Sequence, residues 1–104
     1  MSATTPFADA STITHTFGEK IDCTNCDALA RQCEKYFSMP AVNNVVFDFE
    51  NVRVCDSYGL KFLINFQRKA AENHKRLVLI RLDAIIKEMM SLTRLTQFFT
   101  IAEA

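Results

Sequence analysis

Apolar residues change their spacing several times along this chain, and each change marks an element. Between Ser11 and Phe17 the residues alternate and are rich in β-branched side chains, with Ile13 and Phe17 set among Thr and His. Such alternation predicts a half-buried strand ending at Gly18. From Asn25 to Phe37 the spacing lengthens to a helical repeat that puts Cys26, Leu29, Ala30, Cys33, Tyr36 and Phe37 on one stripe. An amphipathic helix is expected there, with Thr24 as its cap and Asp27 three residues on. Pro40 closes that region, Asn43-Asn44 turns the chain, and Val45 to Phe49 reads as a strand buried on at least one face and central in its sheet. Val52-Arg53-Val54-Cys55 then leads into Asp56-Ser57, where a long helix starts and runs to about Asn73. Its inward side is read as Leu60, Leu63, Ile64, Gln67, Ala70 and Ala71, its outward side as Lys61, Asn65, Arg68, Lys69 and Glu72. After a turn at Asn73-His74-Lys75, Leu77 to Ile80 is a strand, and Asp83 caps a helix carrying Ile85, Ile86, Met89, Met90 and Leu92 inward. Phe98 to Ile101 supplies a last short strand.

Strands and helices therefore alternate throughout. Each crossover helix returns the chain to the same edge of a sheet, so the order implies an α/β domain with a mixed, mostly parallel sheet of four to five strands and helices packed on it. Residues 1–10, small and polar around Pro6, read as a loose tail or a short edge strand ahead of a single domain over residues 11–104. A chain of 104 residues fits one such unit and leaves no room for a second.

Charge and composition remove whole classes of function. Lys plus Arg and Asp plus Glu number 12 each, so no net positive field draws the chain to phosphate backbones, and no nucleic-acid partner is expected. Neither a membrane-spanning run nor an export signal is apparent, so no direct membrane insertion and a cytoplasmic location are expected. In such a reducing compartment Cys23, Cys26, Cys33 and Cys55 are expected as free thiols. The pair Cys23-x-x-Cys26 also admits a redox or metal reading. Against it, His15 and His74 lie in unrelated segments, and the helical stripe already assigns Cys26 and Cys33 as small buried hydrophobes. No metal and no cofactor are expected. Neither a glycine-rich phosphate loop nor a Ser-His-Asp set stands at recognisable spacing, so the chain is not read as an enzyme.

The informative junction is Asp48-Phe-Glu-Asn-Val-Arg-Val-Cys-Asp56-Ser57-Tyr58-Gly59-Leu60. It resembles the signature of STAS domains of the anti-sigma factor antagonist type, in which a buried strand and a short loop lead to Asp-Ser-(Ser/Thr)-Gly-Leu at a helix start. Gly18-Glu-Lys-Ile-Asp22 is similar to that family's Gly-Glu-Leu-Asp turn, with one extra residue, and Leu77 to Phe99 is similar to its third crossover. Tyr58 stands where the family has Ser or Thr. The resemblance implies that Ser57 is a phosphorylation site and that Asp22, Asp56, Ser57, Tyr58 and Gly59 border a partner-binding surface. It further implies binding to an anti-sigma factor/serine kinase of the histidine-kinase-like ATPase type while Ser57 is unmodified, release on phosphorylation, and resetting by a serine phosphatase. Alternatives within the family are a regulator of surface polysaccharide, biofilm or secretion, and an accessory subunit of a membrane lipid or anion transporter.

Physical chemistry makes Ser57 a reasonable acceptor on its own. The first turn of a helix has unpartnered N–H groups and the positive end of the macrodipole, so a phosphate fits there without unfolding the element. By pattern alone, Asp56 and Ser57 also suit a plain helix cap, and Gly59 a point of close packing. Phe62 joins the candidate interface because Tyr58, Phe62 and Phe66 recur at four-residue spacing, and aromatics at the edge of a buried face often anchor interfaces. The alternative for Phe62 and Phe66 is packing beneath the neighbouring helix at Met89 and Met90. Self-association is left open by the sequence.

Overall fold

The computed structural model describes residues 11–102. Among the described residues six strands and three α-helices follow one another: β1 (Thr12–Thr16), β2 (Lys20–Ile21), α1 (Cys26–Glu34), a 3-10 turn (Lys35–Ser38), β3 (Asn44–Asp48), β4 (Val54–Cys55), α2 (Ser57–Glu72), β5 (Arg76–Ile80), α3 (Ala84–Leu92) and β6 (Thr100–Ala102). The main sheet has the order β1-β3-β5-β6, and β2 and β4 form a separate two-stranded sheet. Every pairing among the described residues is parallel. The tail or edge strand expected at residues 1–10 lies outside the described residues.

This order explains the layering. The chain steps across the main sheet in one direction, and right-handed crossovers taken in one direction place their helices on one face. Val45, Phe47, Leu77 and Leu79 accordingly share one buried cluster with Leu63, Phe66, Ile86 and Met90 from the helices. Val46, Val78 and Ile80, the alternate residues of the same strands, form a smaller cluster on the opposite face. Strand β3 is central, as expected, and its last residue Asp48 is buried where Arg81 reaches it at 2.7 Å.

Aromatic rings fill the space between α2 and the sheet. Phe17, Phe47, Phe62 and Phe66 meet with ring centroids 4.9–6.2 Å apart, and Phe37 lies 5.2 Å from Phe66. These contacts correct the inward face expected for α2. Its buried residues are Gly59, Phe62, Leu63, Phe66 and Ala70, while Leu60, Ile64 and Gln67 are half-buried and Ala71 is exposed. Helix α3 is corrected too. Ile86 and Met90 point inward, but Ile85 is 71% and Leu92 79% exposed. Asp83 caps α3 as expected, accepting the Ile86 amide at 2.9 Å.

Candidate functional site

The start of α2 is built by local chemistry. Asp56 holds an extended backbone at the N-cap, and its Oδ1 accepts the Gly59 amide at 3.0 Å, satisfying one first-turn donor. Its other oxygen accepts the Cys23 amide at 3.3 Å. One carboxylate thus ties the helix start to the turn after β2. Ser57 is the first residue of α2 and is exposed. Tyr58 follows at 59% exposure.

The turn beside it is an Asp-centred knot. Asp22 Oδ1 accepts the amide of Thr24 at 3.0 Å and also its hydroxyl, while the Asp22 carbonyl accepts the amides of Asn25 and Cys26. Asn25 closes the turn from the far side, accepting the Asp22 amide at 2.9 Å and donating its Nδ2 to the Lys20 carbonyl at 2.8 Å. Thr24 is therefore not the cap of α1. Asn25 holds the N-cap position without a side-chain cap bond, because its amide group and the Thr24 hydroxyl are both spent on the turn. The Thr24 hydroxyl above all, helped by backbone amides and the charge of Lys20, holds the Asp22 carboxyl below its ordinary value. The Cys23 amide on Asp56 brings the turn that carries Asp22 to the start of α2, so two acidic groups lie at the junction that bears Ser57.

The small β2–β4 sheet sets the spacing of the two turns, with Lys20 opposite Val54 and Ile21 opposite Cys55. Gly59 lets α2 approach it. A Cβ at this position would lie 2.3 Å from the Ile21 carbonyl oxygen and 2.7 Å from Cys55 Sγ. Its φ is negative, so the glycine is there for space and not for backbone freedom.

Five of the six expected partner residues, Asp22, Asp56, Ser57, Tyr58 and Gly59, gather at this junction. Phe62 departs from the expectation. It is only 5% exposed and belongs to the aromatic core, so it is not an exposed anchor. Phe62 and Phe66 share the buried cluster that also holds Met90 of α3, and they meet the rings of Phe17, Phe47 and Phe37 as well.

Three thiols, Cys23, Cys26 and Cys55, lie around the junction. Cys23 is exposed, Cys26 and Cys55 are half-buried, and all four cysteines are free. Burial foremost, then the charge of Asp56, pushes the thiol of Cys26 up and that of Cys55 to about 12. Both stay protonated and poorly nucleophilic. Among the described residues no His, Cys, Asp and Glu are grouped to hold a metal ion, and no helix is long and apolar enough to cross a membrane.

The sequence profile of the STAS domain matches residues 6–104. The chain belongs to the STAS domain family. No curated protein sequence matches it. Solved structures agree on the fold. A Thermotoga maritima protein provisionally described as an anti-sigma factor antagonist is similar with a TM-score of 0.83 at 13% identity, over 92% of this chain and 81% of that one. The anti-sigma factor antagonist SpoIIAA in its unphosphorylated form has a TM-score of 0.76 at 14% identity, over 93% of this chain and 83% of that one. The Bacillus cell fate determinant SpoIIAA in its phosphorylated form gives 0.72 at 14% identity, over 93% and 86%. This STAS domain is thus an α/β unit with an acidic, serine-bearing helix start.

Proposed function

We propose that this STAS domain is a phosphorylation-controlled partner switch that acts by binding and not by catalysis. The observation that carries the reading is the position of Ser57: exposed, first in α2, and directly after the capping Asp56. Unmodified, the surface formed by Asp22, Asp56, Ser57, Tyr58 and Gly59 binds an anti-sigma factor that is also a serine kinase of the histidine-kinase-like ATPase type. That kinase phosphorylates Ser57 and the complex dissociates. A serine phosphatase restores the binding form.

The chemistry of release is local. A phosphate brings about −1.5 to −2 charges to a surface that already holds the Asp22 and Asp56 carboxylates. The unpartnered amides of the first turn and the helix dipole accept it, so the fold tolerates the modification while the docking surface becomes more strongly negative. Support for an intact fold in both states comes from SpoIIAA, whose unphosphorylated and phosphorylated structures are both similar to this chain. Incubation with ATP and the cognate kinase should add one phosphate on Ser57, located by mass spectrometry and absent from Ser57→Ala. Modification chiefly on Thr24, Tyr58 or Ser91 would refute the assignment.

A further inference from the structure

A phosphorylation switch leaves the Cys23-x-x-Cys26 pair unused, yet the pair sits beside Asp56. The Asp22 carbonyl accepts the amides of Asn25 and Cys26 at 3.2 and 3.0 Å, so residues 22–26 form one turn that runs into α1. Cys23 and Cys26 stand three residues apart on it, a spacing that puts Cβ atoms about 5–6 Å apart on a helical turn. A disulfide takes Cβ atoms about 3.5–4.5 Å apart, so closing the bond requires a movement of about 1–2 Å. Cys26 is the first residue of α1 and packs against the core, whereas Cys23 is exposed. Cys23 is therefore the one that moves. Its amide donates to Asp56 Oδ2 at 3.3 Å, longer than most such bonds and easily lost. The other two thiols are less open to an oxidant. Cys33 is fully buried, and Cys55 Sγ is packed beneath Gly59, 2.7 Å from where a Cβ would lie.

We propose that Cys23 and Cys26 form a reversible regulatory disulfide, closed by a hydroperoxide, and that its closure shifts the Asp22 turn relative to the Asp56 cap of α2. In the first step the Cys23 sulfur attacks hydrogen peroxide: an S–O bond forms, the O–O bond breaks, and the hydroxide released takes up the proton lost by the Cys23 thiol. Cys23 is then a sulfenic acid. In the second step the Cys26 sulfur attacks that of Cys23: the S–S bond forms, the S–O bond breaks, and the hydroxyl leaves with the Cys26 proton as water. Two thiols are oxidised and one peroxide is reduced to two waters. Burial first, then the charges of Asp56, Asp22, Asp27 and Cys23, keeps Cys26 protonated, so it carries the proton that the second step needs. Its place on the same turn offsets its weak nucleophilicity. No thiolate is stabilised there, so the reduced pair lacks the feature that makes some dithiols resist oxidation. The inference goes beyond the phosphorylation reading and does not depend on it: redox state becomes a second input to the junction that bears Ser57.

The test treats the reduced, full-length protein with hydrogen peroxide, maps the thiols by mass spectrometry after digestion without reductant, and follows amide resonances of the intact protein. A Cys23–Cys26 bond should form within each chain, seen as the loss of two hydrogens from the peptide that carries both and as protection of both from alkylation. Dithiothreitol should restore the two thiols. The amides of Cys23, Ser57 and Gly59 should shift on oxidation and return on reduction. Cys26→Ser should stop at the Cys23 sulfenic acid, trapped by dimedone, and Cys23→Ser, a change at an exposed position, should leave Cys26 reduced. A Cys26–Cys55 bond, a Cys23–Cys23 bond between two chains, or Cys23 passing on to the sulfinic acid with Cys26 still reduced would each overturn the inference. So would a Cys23–Cys26 bond that leaves the Ser57 and Gly59 amides unmoved. Neither kinase nor partner enters this experiment, so its result and that of the Ser57 phosphorylation assay are read separately.

Discussion

Replacing Gly59 with Ala separates two opposing effects in sign. In an exposed helix interior the change would stabilise by about 1 kcal/mol, since Ala restricts the unfolded chain and Gly59 already has a negative φ. Here the added methyl meets the Ile21 carbonyl oxygen at 2.3 Å and Cys55 Sγ at 2.7 Å, against a comfortable carbon-to-oxygen contact of about 3.3 Å. The sulfur can rotate away, but the carbonyl belongs to the β2 backbone and moves only if β2 shifts by about 1 Å. Overpacking of that size costs about 3 kcal/mol, leaving a net destabilisation of about 2 kcal/mol. For a domain of this length that lowers Tm by about 10 °C. Thermal unfolding followed by far-UV circular dichroism measures it. Adding Cys55→Ala should recover only a minor part, because the backbone contact persists. A Tm equal to or above that of the unmodified protein would refute the reasoning, since propensity alone would then govern the site.

Two further expectations concern titrating groups. His15 Nδ1 lies 2.8 Å from the Tyr36 hydroxyl, and burial first, then the charge of Lys35, holds its pKa below 6.5. A depressed folded-state pKa contributes stability that is complete above 6.5 and is lost as pH falls through the folded value, so Tm should fall between about pH 7 and pH 5, less steeply in His15→Gln; parallel slopes would refute this. Burial holds the thiols of Cys33 and Cys55 at about 12, whereas Cys23 is exposed. A mild alkylating reagent should therefore modify Cys23 well before Cys26, Cys33 or Cys55, as resolved by peptide mass spectrometry, and equally fast modification of all four would contradict the burial reading.

The Asp56-Ser57 junction was legible because capping is local chemistry: a carboxylate one residue before a helix accepts an amide three residues on, whatever the rest of the chain does. Element order was legible from changes of period for similar reasons. Helix faces were not. In α3 five of nine residues are large and apolar, so periodicity allows more than one inward face, and the sheet buries Ile86 and Met90 while leaving Ile85 and Leu92 outside. In α2 the choice fell to Phe62 and Phe66 because rings from residues as distant as Phe17 were waiting for them. The β2–β4 pairing is two residues long with Lys20 and Val54 exposed, too short to alternate. Asn25 carries a readable signal, since an Asp and an Asn three residues apart suit a side-chain-closed turn as well as Thr24 suits a cap.

The most direct measurement is calorimetric titration of unmodified, Ser57-phosphorylated and Ser57→Ala protein into the cognate kinase, beside a melting curve of each form alone. Phosphorylation should weaken binding by about 2–4 kcal/mol, about 30- to 1000-fold, while Tm and the far-UV spectrum stay nearly unchanged. Ser57→Ala should bind as tightly as the unmodified protein. Affinity that ignores phosphorylation, or that falls only because the domain melts, would contradict a switch built on surface charge at the start of α2.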